Sequence, residues 1–389
     1  MFSVKYIIIF VGILVILCSC KYSKKNEEGK LMTTCEVNIS LQNKQESIMM
    51  SNFVDSVQTL CLELPSDVVI GRATRVFFYD SHIFILDRMQ QKIFHFDKSG
   101  AFLGELNRRG NGLGEYYGLH SCMVKDNVLY VFDKVGQNIL LYDFSFKFIR
   151  LIHCEKWVEN LFLLSDGSFL CFTPFFVYNA PNGIWQMSCD GKMIKQWYIY
   201  DDKYPYVGSE WDPFYITSSD GIGIRCPIRN EFYRYKDNNI SCTMKWNIKA
   251  KTTLDFPDIE SCTSIKESFW TCPIFIDADE WVFGIWGEYN GTPSELFTLY
   301  SKKDNEVLVS SSLIVDVGDL SYIGNPVSSN LPNAMVAIAD GDLIMGSDSF
   351  KQGQVKSLPD NQVFLLIYYF LRQSISKEKI ASLEKEVGL

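Results

Sequence analysis

The stretch that decides the fold is YDSHIFILDRMQQKIFHFDKSGAFLGEL, residues 79–106, because its pattern returns without a gap in KDNVLYVFDKVGQNILLYDFSFKFIRLI, residues 125–152. The two members of every matched pair lie 46 positions apart. These pairs are Asp80 with Asp126, Asp87 with Asp133, Ile93 with Ile139, Asp97 with Asp143, and Phe102 with Phe148. A repeat of this length predicts a fold assembled from copies of one supersecondary unit.

Each copy contains four short segments with the composition of β-strands. Apolar and polar side chains alternate in IFILD and VLYVFD, and again in KIFHFD and NILLYD, so each strand directs one face to a neighbouring layer. Acidic, amide and glycine residues separate the segments, as turns require. In FDKSG, Gly100 supplies the positive φ of a tight hairpin.

Looser copies of the unit follow, each with an inner strand, an acidic turn and further strands. They begin at Leu163, Thr217, Phe275 and Ala337. Four antiparallel strands per unit are typical of a propeller blade. We therefore predict an all-β fold, a six-bladed β-propeller of four-stranded antiparallel blades; a seven-bladed ring is the structural alternative.

The last copy lacks an outer strand. We expect its inner strand at residues 335–339, its second strand at 343–346 and its third strand within 362–372. The isolated strand Asp55–Leu64 can supply the fourth strand. This N-terminal strand would close the ring by pairing the two ends of the chain, which removes exposed edges.

The chain begins with a secretory signal whose apolar run, Tyr6–Leu17, is too short for a comfortable membrane span. The sequence Leu17-Cys18-Ser19-Cys20 matches a bacterial lipobox. Cleavage before Cys18 would leave Leu17 where a small side chain is needed, so we predict a signal peptide at residues 1–19 and lipidation of Cys20. Several acyl chains would hold the protein firmly on a membrane. A signal cleaved without lipidation is the alternative.

The rest of the chain divides by composition. Residues 20–50 are polar and without periodicity, which predicts a lipidated cysteine followed by a flexible tether. We assign residues 51–373 to the propeller. In the tail, residues 374–389, apolar side chains recur at helical spacing and predict a short C-terminal helix.

Charge and cysteine content narrow the function classes. With 37 basic and 46 acidic residues, the net charge of -9 argues against a nucleic-acid partner. Besides Cys18 and Cys20, the ten cysteines are scattered singly without a CxxC pair, so neither a zinc site nor a redox pair is indicated. We interpret them as small buried hydrophobes, and their disulfide state stays open.

These segments together resemble the bacterial six-bladed β-propeller lipoproteins, which are related to NHL-repeat propellers. The resemblance is carried by SNFVDSVQTLCLEL, IFILDRMQQKIFHFDKSGAFLGEL, RRGNGLGEY and the lipobox, and it is sharpest from Ser51 to Leu151. The family usually has proline where this chain has Leu113. The resemblance implies propeller architecture and an envelope location, without an assigned reaction.

The glycine-rich stretch NRRGNGLGEYYGLH, residues 107–120, invites comparison with a phosphate-binding loop. Such a loop needs a helix N-terminus after it, so that free backbone N–H groups point at the anion. Here a strand follows. We interpret Gly110 to Gly114 as the crossing from the first blade to the second, where glycines allow sharp turns.

In a propeller the first residues of the inner strands converge at an axial mouth. We predict a polar and aromatic pocket there, suited to a sugar or peptide; the alternative is that these residues only cap and rigidify the channel. The predicted ligand-binding residues are Arg72, Arg75, Glu115, Tyr116, His120, Glu159, Asn160, Tyr215, Trp270 and Asn333.

Catalysis is less well supported by the sequence. Of the four histidines, only His120 is well placed, and HExxH and GxSxG are both absent. We expect no metal, no cofactor and no catalytic residue. An NHL-like lyase or hydrolase acting at the axial mouth is the rival hypothesis, and a protein platform on the side of the disc is a third.

The sequence thus predicts a monomeric, lipid-anchored propeller on the bacterial envelope. Its role would be to bind or scaffold a glycan, peptide or protein partner. The periplasmic and surface faces of the membrane are both compatible with the sequence.

Overall fold

The computed structural model describes residues 34–40, 43–173, 180–197, 212–218, 221–226, 230–249, 269–289, 295–318, 320, 322–341 and 362–371. These residues belong to one unit, Thr34–Leu389. The predicted signal peptide of residues 1–19, Cys20 and the C-terminal helix predicted in residues 374–389 lie outside the described ranges. Within those ranges the complete elements are β-strands and one 3₁₀ turn, Met50–Asn52. No helix in the described part has the length and apolarity that a membrane crossing requires.

The N-terminal region contributes three strands: β1 (Cys35–Ser40), β2 (Ile48–Met49) and β3 (Val54–Leu62). β1 lies parallel to residues 244–249, and β2 lies parallel to residues 313–314. The prediction of a flexible tether through Met50 is therefore wrong from Cys35 onward. CEVNIS alternates apolar and polar side chains, and burial of Val37 and Ile39 outweighs its polar composition.

Two four-stranded sheets follow, each a meander with strands in chain order. Sheet 1 consists of β4 (Ala73–Tyr79), β5 (His82–Asp87), β6 (Lys92–Asp97) and β7 (Phe102–Leu106). Sheet 2 consists of β8 (Leu119–Lys125), β9 (Val128–Asp133), β10 (Asn138–Tyr142) and β11 (Phe148–His153). Every strand of sheet 2 begins 46 residues after its counterpart, as from Ala73 to Leu119.

Three further sheets repeat this order. Sheet 3 consists of β12 (Asn160–Leu163), β13 (Phe169–Thr173), β14 (Gly183–Met187) and β15 (Met193–Trp197). Sheet 4 consists of β16 (Phe214–Ile216), β17 (Ile222–Cys226), β18 (Glu231–Lys236) and β19 (Asn239–Lys249), with β1 added beside β19. Sheet 5 consists of β20 (Phe269–Asp277), β21 (Trp281–Tyr289), β22 (Glu295–Ser301) and β23 (Glu306–Ser310), and β24 (Leu313–Ile314) follows.

Sheet 6 combines the two ends of the described chain. Its strands are β25 (Asn325–Ser329), β26 (Ala334–Asp340), β27 (Val363–Phe370) and β3, in that order. β3 runs antiparallel to β27, with Val54 opposite Phe370 and Leu62 opposite Val363. β25 also pairs in parallel with β4, which joins sheets 6 and 1 into one eight-stranded sheet.

The strand register predicted for this last copy is wrong by one strand. Residues 335–339 lie in the second strand, β26, and the first strand is Asn325–Ser329, whose sequence NPVSS lacks hydrophobic alternation. A short polar strand containing proline gives no period-two signal. The second strand predicted at 343–346 lies outside the described residues. The third strand, predicted within 362–372, is found as β27.

Buried apolar side chains join the sheets in succession. One buried apolar cluster joins sheets 1, 2 and 3. Four further clusters join sheet 3 to sheet 4, sheet 4 to sheet 5, sheet 5 to sheet 6, and sheet 6 to sheet 1. The fully buried Trp185, Trp246 and Trp286 are among the largest side chains in these layers. Consecutive four-stranded antiparallel sheets packed in this way make a propeller-like fold.

Candidate functional site

We call the edge of each sheet at which its first strand begins the start edge. At the start edge of sheets 1 and 2, an aspartate ends the second strand and accepts hydrogen bonds from backbone N–H groups. Asp87 accepts from the N–H groups of Gly71, Arg72 and Gln90 at 2.8–2.9 Å. The carboxylate thereby fixes the residues that lead into β4.

Sheet 2 has an equivalent aspartate 46 residues later. Asp133 accepts from the N–H groups of Tyr117, Gly118 and Gly136 at 2.8–3.0 Å. Because each carboxylate has three charge-assisted bonds to backbone, its role is to hold the connection in place. The repeated aspartate found in the sequence is therefore a structural element of the start edge.

A glutamine four residues after each aspartate links sheet 1 to sheet 2 and sheet 2 to sheet 3, a role that was not predicted from the sequence. Gln91 Oε1 accepts from Leu119 N–H at 2.6 Å, at the first residue of β8. Gln137 Oε1 accepts from Val158 N–H at 2.6 Å, just before β12. The signal was present, since the two glutamines occupy the same repeat position, 46 residues apart. Both have positive φ, 59° and 52°.

Polar side chains from different sheets meet at the start edges. Nε2 of His120 in sheet 2 lies 2.9 Å from Oδ1 of Asn160 in sheet 3, and Lys134 pairs with Glu159 between the same sheets. Arg75 of sheet 1 pairs with Asp212, which lies just before β16 of sheet 4. Start edges of sheets 1 to 4 therefore converge.

We call this group the axial cluster. Its members are Arg75, Arg88, His120, Lys134, Glu159, Asn160, Asp212 and Arg225. Arg88 Nε donates to the carbonyl of His120 at 2.5 Å, which completes the contact between sheets 1 and 2. Arg75, Glu159, Asn160 and Arg225 are each at most 4% exposed.

The axial cluster contains more cationic than anionic side chains. Desolvation, followed by the positive charge of Arg88, lowers the pKa of His120 well below its usual value; Lys134 and Arg75 act in the same direction. The hydrogen bond with Asn160 opposes this shift. His120 is therefore neutral at pH 7, and with Asn160 Oδ1 as acceptor its Nε2 carries the hydrogen.

A cavity of about 50 Å³ lies beside Asp212 and Arg225. Its walls come from the first two strands of sheets 4 and 6 and the first strand of sheet 5, and they include Tyr215 and Phe275. The Arg225 side chain is 3% exposed. Its Nη1 and Nη2 atoms are buried without a hydrogen-bond partner in the part of the chain that the structure describes.

The structure brings four predicted site residues into the cluster, namely Arg75, His120, Glu159 and Asn160. Tyr215 lines the adjoining cavity, with its ring centroid 5.1 Å from that of Phe275. Burial raises the pKa of Tyr215 well above its usual value, so its hydroxyl stays protonated.

Other predicted site residues have different positions. Arg72 is exposed, and its backbone N–H binds Asp87. Glu115 accepts from Gly112 N–H at 2.7 Å, and Tyr116 is fully buried, with its hydroxyl donating to the Gln91 carbonyl at 2.6 Å. Both therefore shape the connection between sheets 1 and 2. The side chain of Trp270, at the start of β20, lies outside the described residues.

The prediction that Asn333 lies at the mouth is wrong. It lies between β25 and β26, at the edge opposite the start edge, because the register of sheet 6 differs by one strand from the predicted one. Asn333 has φ 55° and accepts from Asp279 N–H at 2.6 Å. Its role there is to join the turns of sheets 5 and 6.

The glycine-rich stretch, residues 107–120, connects sheets 1 and 2 and is held by hydrogen bonds within itself. Gly110 N–H donates to the Tyr116 carbonyl, and Tyr116 N–H donates to the Arg108 carbonyl, both at 3.0 Å. Gly114 has φ 74°, and its carbonyl accepts from the Tyr142 hydroxyl at 2.9 Å. Strand β8 follows, so the loop has no helix dipole to offer an anion.

The described part of the chain has no group of three or more His, Cys, Asp or Glu side chains placed to hold a metal ion. Its nine cysteines are all free, and five of them are buried. The buried cysteines are Cys122, Cys154, Cys171, Cys226 and Cys272.

Solved structures resemble this fold at low sequence identity. A protein described as exported, from Bacteroides fragilis NCTC 9343, matches over 86% of this chain and 99% of its own at 16% identity, with a TM-score of 0.68. A DUF4221 family member from Bacteroides vulgatus matches over 82% and 97% at 10% identity, with a TM-score of 0.49. Virginiamycin B lyase from Staphylococcus aureus matches over 80% and 98% at 9% identity, with a TM-score of 0.39.

At 16% identity the first likeness shows the fold alone, and the two lower scores support no argument. No curated protein matches the chain. A family described as "Domain of unknown function (DUF4934)" matches residues 33–356, which include every described strand except β27. The chain therefore belongs to the DUF4934 family.

Proposed function

We propose that this protein is a lipid-anchored, six-bladed propeller of the bacterial envelope that binds a glycan, peptide or protein partner at its axial cluster. The ring would consist of sheets 1 to 6, closed by β3. Support comes from the β3–β27 pairing, from the β25–β4 pairing, and from the apolar clusters that connect each sheet to the next and sheet 6 to sheet 1. A closed ring leaves no sheet edge open to aggregation.

The single observation that carries the binding role is the convergence of polar side chains from four sheets, most of them buried. The pairs Arg75–Asp212, His120–Asn160 and Lys134–Glu159 all lie at start edges. Burying charged groups is costly, and replacing such pairs by apolar residues is often neutral or stabilising. If these residues only filled the axial channel, apolar side chains would be sufficient. A polar cluster therefore favours ligand recognition.

Binding is tested with the chain from Lys21 to Leu389, used as bait against envelope extract and a glycan panel. We expect a ligand retained by wild type to be retained by His153→Ala and weakened about tenfold or more by Asn160→Ala, because Asn160 lies in the cluster. His153 is an exposed residue of β11 and serves as the matched control. Equal retention by both variants of every ligand found would contradict the proposal.

The anchor is tested separately by metabolic labelling with a fatty-acid analogue. Cys20→Ala should abolish the label, whereas Cys18→Ala should keep it, because only Cys20 follows a small residue in the lipobox. Label on the Cys20→Ala variant, or none on wild type, would exclude lipidation at Cys20. An unlabelled but cleaved wild type would instead indicate an ordinary signal peptide.

A further inference from the structure

Among the described residues, Arg225 is the cationic member of the axial cluster whose two terminal nitrogens are both buried without a hydrogen-bond partner, whereas Arg75 has only its Nε buried without one. Arg225 lies on β17 near the start edge of sheet 4, and its backbone N–H donates to the Pro213 carbonyl at 2.8 Å. Both terminal nitrogens of its guanidinium are buried and unpartnered among the described residues. The nearest carboxylate that lines the same cavity, Asp212, is already engaged by Arg75.

The charges at this point do not balance. Arg75 and Arg225 contribute two positive charges, and Asp212 contributes one negative charge, all with side chains almost shielded from solvent. An arginine remains protonated in proteins, so it cannot relieve the imbalance by losing its proton. An uncompensated buried charge destabilises a fold, and the group that would compensate it here is an anion.

The shape of the cavity limits what that anion can be. A cavity of about 50 Å³ has room for a few small groups, since one water needs roughly 10–15 Å³. Its lining combines the charged residues Asp212 and Arg225 with apolar residues such as Phe275, Val327 and Met335. A small planar anion with a short apolar attachment suits these walls, whereas a whole sugar ring is too large.

We infer that this cavity binds the carboxylate group of an acidic ligand, seated on the guanidinium of Arg225. The planar fork of arginine donors matches the two oxygens of a carboxylate and forms two parallel hydrogen bonds with it. A larger ligand would place only its carboxylate inside the cavity. This inference rests on the proposed function, because it names the chemical class of the ligand that the axial cluster binds.

The test is calorimetric titration of residues 21–389 with sodium acetate, N-acetylalanine and sodium glucuronate. The two larger acids distinguish an amino-acid carboxylate from an acidic sugar. Acetamide and N-acetylalaninamide are the neutral counterparts, and sodium chloride controls for ionic strength. We expect saturable binding of at least acetate, with a dissociation constant of about 1 mM, and none of the amides.

Arg225→Met should weaken acetate binding about tenfold or more, because a charge-assisted pair is lost. The control is Arg150→Met on an exposed position of β11, which should bind like wild type. Folding of the Arg225→Met variant is checked by its melting temperature, which should equal or exceed that of wild type. Equal acetate binding by wild type and Arg225→Met, or no binding of any carboxylate, would overturn the inference.

The two proposals fail separately. If a partner from the envelope extract binds and depends on Asn160 while every carboxylate probe is ignored, the binding role stands and the carboxylate assignment falls. If neither the extract, the glycan panel nor the carboxylates give binding, both fall.

Discussion

Charged side chains at the start edges of sheets 1 and 2 differ in hydrogen bonding from the one at the start edge of sheet 4. Asp87 and Asp133 each accept three backbone hydrogen bonds, so their charges are fully used to hold connections. Arg225 of sheet 4 keeps two buried nitrogens without a partner among the described residues. A satisfied buried charge supports the fold, whereas an unsatisfied one costs stability and points to a ligand.

The largest loss of stability should come from removing one of the hydrogen-bonded aspartates. Asp133→Ala would leave three backbone N–H groups at the start of sheet 2 without their acceptor. We expect the free energy of unfolding, measured by urea denaturation, to fall by about 3 kcal/mol. Asp55→Ala, on an exposed position of β3, should change it by less than about 0.5 kcal/mol. Similar losses in both variants would mean that the repeated aspartate does not hold the connection.

A smaller loss should follow from altering the crossing that Asp133 holds. Gly114→Ala would place a Cβ atom 2.7 Å from Cβ of Phe148 at a residue with φ 74°. We expect a loss of about 2 kcal/mol from the strained backbone and the clash. Gly287→Ala is the matched control, since no atom lies within 4 Å of its added Cβ. An unchanged melting temperature for Gly114→Ala would show that the crossing can move away.

The smallest effect concerns two neighbouring histidines inside sheet 1. His82 Nδ1 lies 2.8 Å from His95 Nε2, and desolvation, followed by the charge of His82, lowers the pKa of His95 to about 4. The carbonyl of Phe144 and the charge of Asp97 oppose this shift. His95 therefore binds fewer protons in the folded state than in the unfolded state between about pH 4 and pH 6.5.

Because the unfolded state binds the extra proton, the stability of wild type should fall as the pH drops through that window and should be unaffected above it. Relative to His95→Phe, which cannot titrate, we expect a loss of about 1 kcal/mol at about pH 5.8. Chemical denaturation at about pH 7.5 and about pH 5.8 measures the difference. Parallel stability curves for the two proteins would show that His95 titrates normally.

The sequence predicted the strand order of the first five sheets because their acidic turns and alternating strands are local signals. It could not predict β25, since NPVSS has no alternation, and the wrong position of Asn333 followed from that error. It also missed the pairing of β1, because a parallel strand added from Cys35–Ser40 depends on a partner more than 200 residues away.

The axial cluster was half predicted. His120 and Asn160 follow from the repeat, which places both at the starts of first strands. Asp212 and Arg225 depend on how sheet 4 meets sheet 1, and nothing local distinguishes SEWDPFY or GIRC from ordinary connector and strand. The separation of 137 positions between Arg75 and Asp212 explains why such a contact has no local signal.

The most direct measurement is the free energy of unfolding of Arg75→Met and Arg225→Met, determined side by side in buffer without carboxylates. Arg75→Met strands the Asp212 carboxylate in a buried position and should lose about 3 kcal/mol or more. Arg225→Met removes an unpartnered buried charge and should lose nothing or gain stability. Equal losses in the two variants would contradict the account, because Arg225 would then be as firmly paired as Arg75.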